Sequence, residues 1–185
     1  MALTEKEENI LVDVAKKAIQ CKLDGKEPCA FFHIEGTALN EKGGVFVTLK
    51  KSRRLRGCIG HIRAEKPLYK TVEEMAVASA FNDPRFPPLR RDELPSLTVE
   101  ISVLTPLKII KEINEIEVGV HGLYIVKDYR SGLLLPQVAT ERKWNRMTFV
   151  EETCYKAGLP QDAWKEQDTK IYIFSAEVFS RPWQE

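Results

Sequence analysis

The chain has 185 residues, of which 43% are hydrophobic and 30% are charged, and 28 basic against 27 acidic residues leave a formal net charge of +1. This composition is typical of a soluble globular protein that buries a core without disulfide or metal staples, and the charge balance argues against a protein that coats nucleic acid. No segment approaches the apolar length of a membrane span, and the first residues lack the features of a signal peptide. We therefore expect a cytoplasmic protein with no membrane partner.

The sequence lacks the patterns typical of a bound metal or cofactor. The four cysteines, Cys21, Cys29, Cys58 and Cys154, are widely spaced and do not have zinc-site spacing, so we expect free thiols in a reducing compartment. The GCIG segment does not have the spacing of a dinucleotide-binding loop, and the chain contains no Walker loop. We predict neither a metal nor a cofactor.

The N-terminal part predicts a helix followed by two strands. Thr4 and Glu7 have the spacing of a capping box, and apolar residues at helical intervals predict an amphipathic helix over 4–22. The runs AFFHI at 30–34 and VFVTLK at 45–50 then predict two strands separated by a turn.

The segment LRGCIGHI at 55–62 predicts a further strand, which follows a dense basic run at 50–56. Its two glycines, Gly57 and Gly60, weaken the packing of the strand but let another backbone or a ligand come close. Pro67 suits the first turn of a helix that continues through LYKTVEEMAVASAFND. The prolines of DPRFPPL then predict a stiff loop.

The second half of the chain predicts further strands and one more helix. The run at 97–104 alternates, which leaves Glu100 on the second face of an otherwise apolar strand. GLYIVK and LLLPQV predict a hairpin that returns through the RSG segment at 130–132, with Pro136 at an edge or a bulge. WNRMTFVEETCYKAG predicts a helix that ends at Gly158, and KIYIFSAEVF predicts one closing strand.

The number of strands, and the absence of strict alternation of strands and helices, favour an α/β fold of the α+β type. We expect a mostly antiparallel or mixed sheet with packed helices, in a single domain over residues 1–185. Within that domain we expect a larger and a smaller lobe with a cleft between them, because ligand clefts form where lobes meet.

The candidate catalytic group is the thiol of Cys58. If residues 55–61 are extended, Arg56, Cys58 and Gly60 share one face, with the Cα atoms of the arginine and the cysteine about 7 Å apart. A guanidinium at that distance, helped by Arg54, favours the thiolate form, which is the usual route to a reactive cysteine. The same alternation turns His61 away from the thiol, so a base has to come from elsewhere, and Glu100 and His121 are the candidates.

Each of these residues also has a structural interpretation. An unpaired cysteine is often a small buried packing residue, and His121 before a glycine can hydrogen-bond a turn. Glu100 can form a structural ion pair with Arg56 or Arg85, and the basic run can be a solvated loop. The residues alone leave these alternatives open.

The order of motifs along the chain resembles that of the AMMECR family, named for the Alport syndrome, midface hypoplasia and elliptocytosis chromosomal region. The resemblance runs from about Cys29 to the closing strand and rests on LRGCIG, NDPRFPPL, EISVLTPL, HGLYI, GLLLPQVATERKW and AGLP. It implies a two-lobed fold with an antiparallel sheet and a cleft into which LRGCIG points. The positions that match the family are Leu55 to Gly60, Pro84, Arg85, Phe86, Glu100, Gly122 and Leu135 to Gln137.

Two functions of different classes follow from the residues and the resemblance together. The basic, glycine-flanked thiol favours a cysteine-dependent enzyme. Similar prokaryotic proteins are associated with Memo-like proteins and radical S-adenosylmethionine enzymes, which implies an enzyme or accessory factor in a shared modification pathway. The alternative is a non-catalytic module that binds a nucleotide, an RNA or a partner protein, with arginines on phosphate and an aromatic wall. The candidate ligand-binding residues are Arg54, Arg56, Gly57, Gly60, Arg85 and Phe86.

Overall fold

The structure is a computed structural model that describes residues 3–26, 38–63 and 65–184. The helices are α1 Glu5–Leu23, α2 Leu68–Phe81, α3 Pro136–Glu141 and α4 Arg146–Lys156. The strands are β1 Val45–Lys51, β2 Arg54–His61, β3 Leu97–Leu104, β4 Lys108–Ile110, β5 Gly122–Lys127, β6 Arg130–Leu134, β7 Lys170–Phe174 and β8 Ala176–Pro182. The predicted strand at 30–34 lies outside the described residues.

The fold is of the α+β type, with two antiparallel four-stranded sheets and packed helices. The chain divides into two compact units, of which the first runs to Leu104 and takes in the C-terminal segment from Glu177. The second unit is Thr105–Ala176. The strand orders of the two sheets are β2-β1-β3-β8 and β4-β7-β5-β6.

The core of the first unit lies between its sheet and helices α1 and α2. The Thr4 hydroxyl caps α1 by accepting the N–H of Glu7, and the Glu7 carboxylate accepts the N–H of Thr4 at 2.9 Å, which confirms the predicted capping box. The inward side chains of β1 alternate with outward ones and are fully buried. These inward residues are Val45, Val47 and Leu49, and they pair with Val103, Ile101 and Val99 of β3.

The core of the second unit lies between its sheet and helix α4, where Phe149 is fully buried. The Asn145 side chain caps α4 by accepting the N–H of Thr148 at 2.9 Å. Gly158 follows the helix with a φ of +72°, which confirms the predicted helix end. Leu123 and Ile125 of β5 also point into this core.

Three predictions in the second half of the chain are wrong in detail. Asp128 and Tyr129 make the β5–β6 turn, with Asp128 in the left-handed region at φ 51°, so the RSG segment at 130–132 belongs to β6 instead. Pro136 begins α3, because its missing N–H costs nothing in a first helical turn. The predicted single closing strand breaks at Ser175 into β7 and β8, which belong to different sheets.

The described cysteines differ in whether they form a disulfide bond. Among those that the structure describes, Cys58 and Cys154 are free thiols, whereas Cys21 is disulfide-bonded, contrary to the expectation of free thiols. Within the same residues, no helix is long and apolar enough to cross a membrane.

Candidate active site around Cys58

The β1–β2 hairpin contains a β-bulge that decides which way its arginines point. Leu49 pairs with Gly57, but Lys50 already pairs with Leu55, so Arg56 has no partner in β1. The extra residue interrupts the alternation of side chains along β2. The prediction that Arg56 and Cys58 share a face assumed an unbroken strand, and it is wrong.

The guanidinium of Arg56 is bound on the opposite side of the sheet from the thiol. Its Nε donates to Glu93 Oε1 at 3.0 Å, and its Nη2 donates to Glu93 Oε2 at 2.9 Å and to the Pro87 carbonyl at 3.0 Å. Lys51 binds the same carboxylate, and Lys51 and Thr48 lie on opposite faces of β1. Arg56 and Glu93 are both buried, and the Arg56 guanidinium lowers the pKa of Glu93 to about 2.

The thiol of Cys58 is half-buried and receives a hydrogen bond. Thr48 faces Cys58 in the register of β1 and β2, and its hydroxyl donates to the sulfur at 3.2 Å. A hydroxyl donor favours negative charge on the atom that accepts it. The sulfur therefore has a polar neighbour within the sheet, in a residue that is only partly buried.

The backbone of Cys58 is held by an ion pair at the outer edge of the sheet. The N–H of Cys58 donates to Asp83 Oδ2 at 2.9 Å, and its carbonyl accepts from Arg85 Nη2 at 3.1 Å. Because β2 is an edge strand, Asp83 and Arg85 take the place that a neighbouring strand would have. These two hydrogen bonds hold the backbone N–H and the carbonyl of Cys58, and they thereby fix the position of the residue that carries the sulfur.

Asp83 and Arg85 form a close, asymmetric pair. Arg85 donates to both carboxylate oxygens, from Nε at 2.9 Å and from Nη2 at 2.7 Å. The Asp83 side chain is only 2% exposed, whereas that of Arg85 is 54% exposed. The Arg85 hydrogen bond holds the pKa of Asp83 well below its usual range, and the hydrogen bond to Asp83 raises the pKa of Arg85. The cation beside the thiol is therefore Arg85, and Arg56 does not have that role.

Glu100 lies in the same row of the sheet as the thiol. Thr48 pairs with Cys58 on one side and with Glu100 on the other, so the three side chains follow one another across three strands. Two strand spacings put the outer Cα atoms about 10 Å apart. The partner of Glu100 is Lys50, whose Nζ lies 2.6 Å from Oε2, and the expected pairing with Arg56 or Arg85 is wrong because both guanidinium groups bind other carboxylates.

The two glycines of LRGCIG make room for neighbouring parts of the protein. A Cβ at Gly57 would lie 2.0 Å from the Ser79 carbonyl oxygen of α2, so helix and strand pack too closely for a side chain. A Cβ at Gly60 would lie 2.4 Å from the Phe46 ring. The sequence predicted such a close approach, and here the space is filled by the protein itself. A ligand-binding role for the two glycines stays a prediction.

The remaining ligand-binding candidates lie near the Asp83–Arg85 pair or at the hairpin. The Phe86 ring lies near two guanidinium groups, with its centroid 5.9 Å from Cζ of Arg56 and 5.6 Å from Cζ of Arg85. Arg54 is exposed at the start of β2. Their contact with a ligand stays a prediction.

His121 belongs to the second unit, where its contact is local. Its Nδ1 accepts the backbone N–H of Glu117 at 3.0 Å and thereby closes the turn before β5. This matches the structural interpretation of His121, and a catalytic role for it stays a prediction. Among the described residues, no group of three His, Cys, Asp or Glu side chains is arranged to hold a metal ion.

Sequence reasoning missed Thr48, Lys50 and Asp83 as parts of the site. Thr48 and Lys50 have a signal, since they are the polar residues that alternate with buried ones in VFVTLK. Asp83 precedes a proline in a turn, where a short acidic side chain binds backbone N–H groups. Asp83 also binds Cys58 of β2, which lies 25 residues earlier in the chain. Local sequence patterns do not reveal a contact between residues so far apart.

Comparison with known proteins places this chain in a family. The family model described as AMMECR1 matches residues 12–179. Protein MK0488 of Methanopyrus kandleri is 43% identical, over 96% of this chain and 89% of its own length, and a protein of Methanothermobacter thermautotrophicus is 40% identical, over 96% and 95%. The crystal structure of the uncharacterized protein PH0010 from Pyrococcus horikoshii superposes with a TM-score of 0.86 at 44% identity, over 92% of this chain and 89% of that one. This chain belongs to the AMMECR1 family.

Proposed function

We propose that this protein is a cysteine-dependent enzyme with Cys58 as the nucleophile. The observation that carries the proposal is the environment of the sulfur, which is half-buried, accepts the Thr48 hydroxyl and has its backbone clamped by Asp83 and Arg85. Cys154 provides the contrast within the same chain, because it is completely buried and burial raises the pKa of its thiol. A cysteine that only fills space resembles Cys154.

The chemistry that this arrangement supports is attack on an electrophilic carbon. The thiol first gives its proton to solvent or to a base, and the thiolate sulfur then forms a bond to the carbon. The leaving group departs with the electron pair of the bond that breaks. The Thr48 hydroxyl donates to the sulfur, and the Arg85 guanidinium binds the carbonyl of the same residue, so both groups lie at the residue that makes the attack.

The Lys50–Glu100 pair supplies charged groups for the more distant part of a substrate. Because Thr48 separates Glu100 from the sulfur, we assign Glu100 an orienting or acid–base role toward the substrate and no direct proton transfer from the thiol. The link with Memo-like proteins and radical S-adenosylmethionine enzymes belongs to the same proposal and rests on the family resemblance alone.

A generic acyl donor tests the proposal without knowledge of the natural substrate. With p-nitrophenyl acetate, the thiolate attacks the ester carbonyl, p-nitrophenolate leaves with the bonding pair, and an acetyl thioester remains on the sulfur. We expect a stoichiometric burst of p-nitrophenolate and an acetyl group mapped to Cys58 by mass spectrometry. The Cys58→Ser variant should lose the burst, and the matched Cys154→Ser variant should keep it. A burst that survives Cys58→Ser, or acetylation that favours other residues, would overturn the proposal.

The second candidate function is a phosphate-binding module, and one observation favours it. Arg53 and Arg54 at the tip of the β1–β2 hairpin are exposed, and Leu55 beside them is 44% exposed. Arg56 does not belong to this surface, because Glu93 binds it. A module of this kind should retain a single-stranded RNA or a nucleotide at low salt and lose it in an Arg54→Ala variant or at high ionic strength. Retention that is insensitive to both changes would contradict this function.

A further inference from the structure

We infer that the molecule that reacts with Cys58 carries an anionic group, a carboxylate or a phosphate, which binds the outward side of Arg85. The inference rests on the proposed function of Cys58 and adds the chemical class of its substrate.

The donors of Arg85 are only partly used. A guanidinium has five N–H groups, and three of those of Arg85 bind Asp83 and the Cys58 carbonyl through Nε and Nη2. The two N–H groups of Nη1 bind no group in the part of the chain that the structure describes. With 54% of the side chain exposed, these donors are open to a ligand.

The charge that the pair presents to solvent is positive, although the pair is neutral in sum. The carboxylate of Asp83 is buried and turned toward the N–H of Cys58, and the guanidinium lies outside it. The Phe86 ring contacts the guanidinium and restricts its movement, which reduces the entropy lost when a ligand binds. Planar guanidinium donors match the geometry of carboxylate and phosphate oxygens.

The same anchor binds the backbone of the residue that carries the reacting atom. Nη2 of Arg85 is 3.1 Å from the carbonyl oxygen of Cys58, so an anion on Arg85 lies beside the residue that carries the nucleophile. An anchor this close holds the electrophilic carbon of the substrate near the sulfur and lowers the entropic cost of attack.

An unpartnered hydroxyl lies further along the same face of the sheet. Ser102 lies on the same face as Glu100, two residues along β3, and is 1% exposed. Its Oγ has no hydrogen-bond partner among the described residues. A buried hydroxyl without a partner is costly. The other charged groups on this face, Lys50 and Glu100, neutralise each other.

Two alkylating reagents that differ only in charge test the inference. Iodoacetate and iodoacetamide undergo the same reaction, in which the thiolate forms a C–S bond and iodide leaves with the electron pair of the C–I bond. The ratio of the two rate constants at Cys58 is compared with the ratio for glutathione. We expect the anion to be favoured at Cys58 by at least about threefold relative to glutathione, because a nearby cation attracts it.

Three variants separate binding of the anion from loss of structure. Arg85→Gln should abolish the preference for iodoacetate, and Arg85→Lys should keep most of it because the charge remains. The control Arg90→Gln, at an exposed arginine that pairs with Asp92, should leave it unchanged. A wild-type ratio equal to that of glutathione, or a preference that survives Arg85→Gln, would overturn the inference. Fast reaction of Cys58 with iodoacetamide in that case still supports the proposed function, whereas slow reaction with both reagents overturns the proposed function itself.

Protection experiments distinguish the two kinds of anion. Inorganic phosphate or acetate is added during labelling of wild-type Cys58 with iodoacetamide. Slower labelling that returns to the unprotected rate in Arg85→Gln supports the inference, and the stronger protectant identifies the anion. Labelling that neither anion slows, or protection that persists in the variant, contradicts it.

Discussion

Two arginine–carboxylate pairs flank strand β2, and they differ in what surrounds them. Arg56 and Glu93 are both about nine-tenths buried, with side chains 10% exposed, and the guanidinium binds the carboxylate through two hydrogen bonds. Arg85 and Asp83 make equally close bonds, but the arginine is half exposed. The first pair therefore stabilises the fold, and the second leaves a cation available beside Cys58. The same residue types serve different purposes because a single bulge and a stiff loop place them on different sides of the strand.

The largest loss of stability is expected when the buried Arg56–Glu93 pair is broken. Arg56→Ala leaves the Glu93 carboxylate buried with Lys51 as its remaining cationic partner among the described residues, so we expect the free energy of unfolding to fall by about 3–5 kcal/mol. Urea denaturation measures the change. The matched control Arg54→Ala removes an exposed charge and should change stability by no more than about 0.5 kcal/mol. Equal effects of the two substitutions would contradict the structural role of Arg56.

Acid should weaken the buried pair in a defined pH window. The pKa of Glu93 lies at about 2 in the folded protein, below its ordinary value of 4.5, so the carboxylate stabilises the fold above pH 4.5. This contribution, about 3 kcal/mol if the whole difference is expressed, is lost as the pH falls from 4.5 toward 2. Urea titrations across this window should show a shallower loss in Glu93→Gln than in the wild type. Parallel loss in both proteins would assign the acid sensitivity to other carboxylates.

A smaller effect is expected where α2 contacts the strand. Gly57→Ala places a Cβ 2.0 Å from the Ser79 carbonyl oxygen, which forces the helix away from β2 and should cost about 1–3 kcal/mol. Gly43→Ala is the matched control, because its Cβ would meet nothing nearer than a Leu68 methyl group at 3.8 Å. Thermal unfolding of the two variants compares them. A Gly57→Ala variant as stable as Gly43→Ala would show that the close approach is not required.

A smaller loss of stability than at the buried arginine is expected at the exposed one. Arg85→Ala should reduce the free energy of unfolding by about 1–3 kcal/mol, because it removes a half-exposed guanidinium but leaves the buried Asp83 carboxylate with the backbone N–H groups of residues 58 and 85 as hydrogen-bond donors. The rate of Cys58 alkylation should nevertheless fall severalfold, since the charge beside the sulfur is lost. Denaturation and residue-resolved labelling on the same sample test both statements. A large loss of stability with unchanged labelling would reverse the roles assigned to the two pairs.

The sequence predicts the elements that carry the site better than it predicts their contacts. The helix capped by Thr4 and the strand through LRGCIG follow from local patterns, and the structure confirms them. The bulge at Arg56 arises from how β1 and β2 pair, and one extra residue is enough to turn a side chain to the other face. The bond from Cys58 to Asp83 likewise depends on the folded path of the proline loop. The alternation of side chains along the strand at 97–104 predicted the face on which Glu100 lies, but it could not identify Lys50 as the partner of Glu100.

The most direct test of the account is the rate at which iodoacetamide modifies each free thiol of the native protein. We predict that Cys58 reacts at least about tenfold faster than Cys154, and that Thr48→Val, which removes the hydroxyl donor at nearly constant shape, slows Cys58 and leaves Cys154 unchanged. Equal rates at the two cysteines in the folded wild-type protein would contradict the account, because Cys58 would then be a packing residue like Cys154.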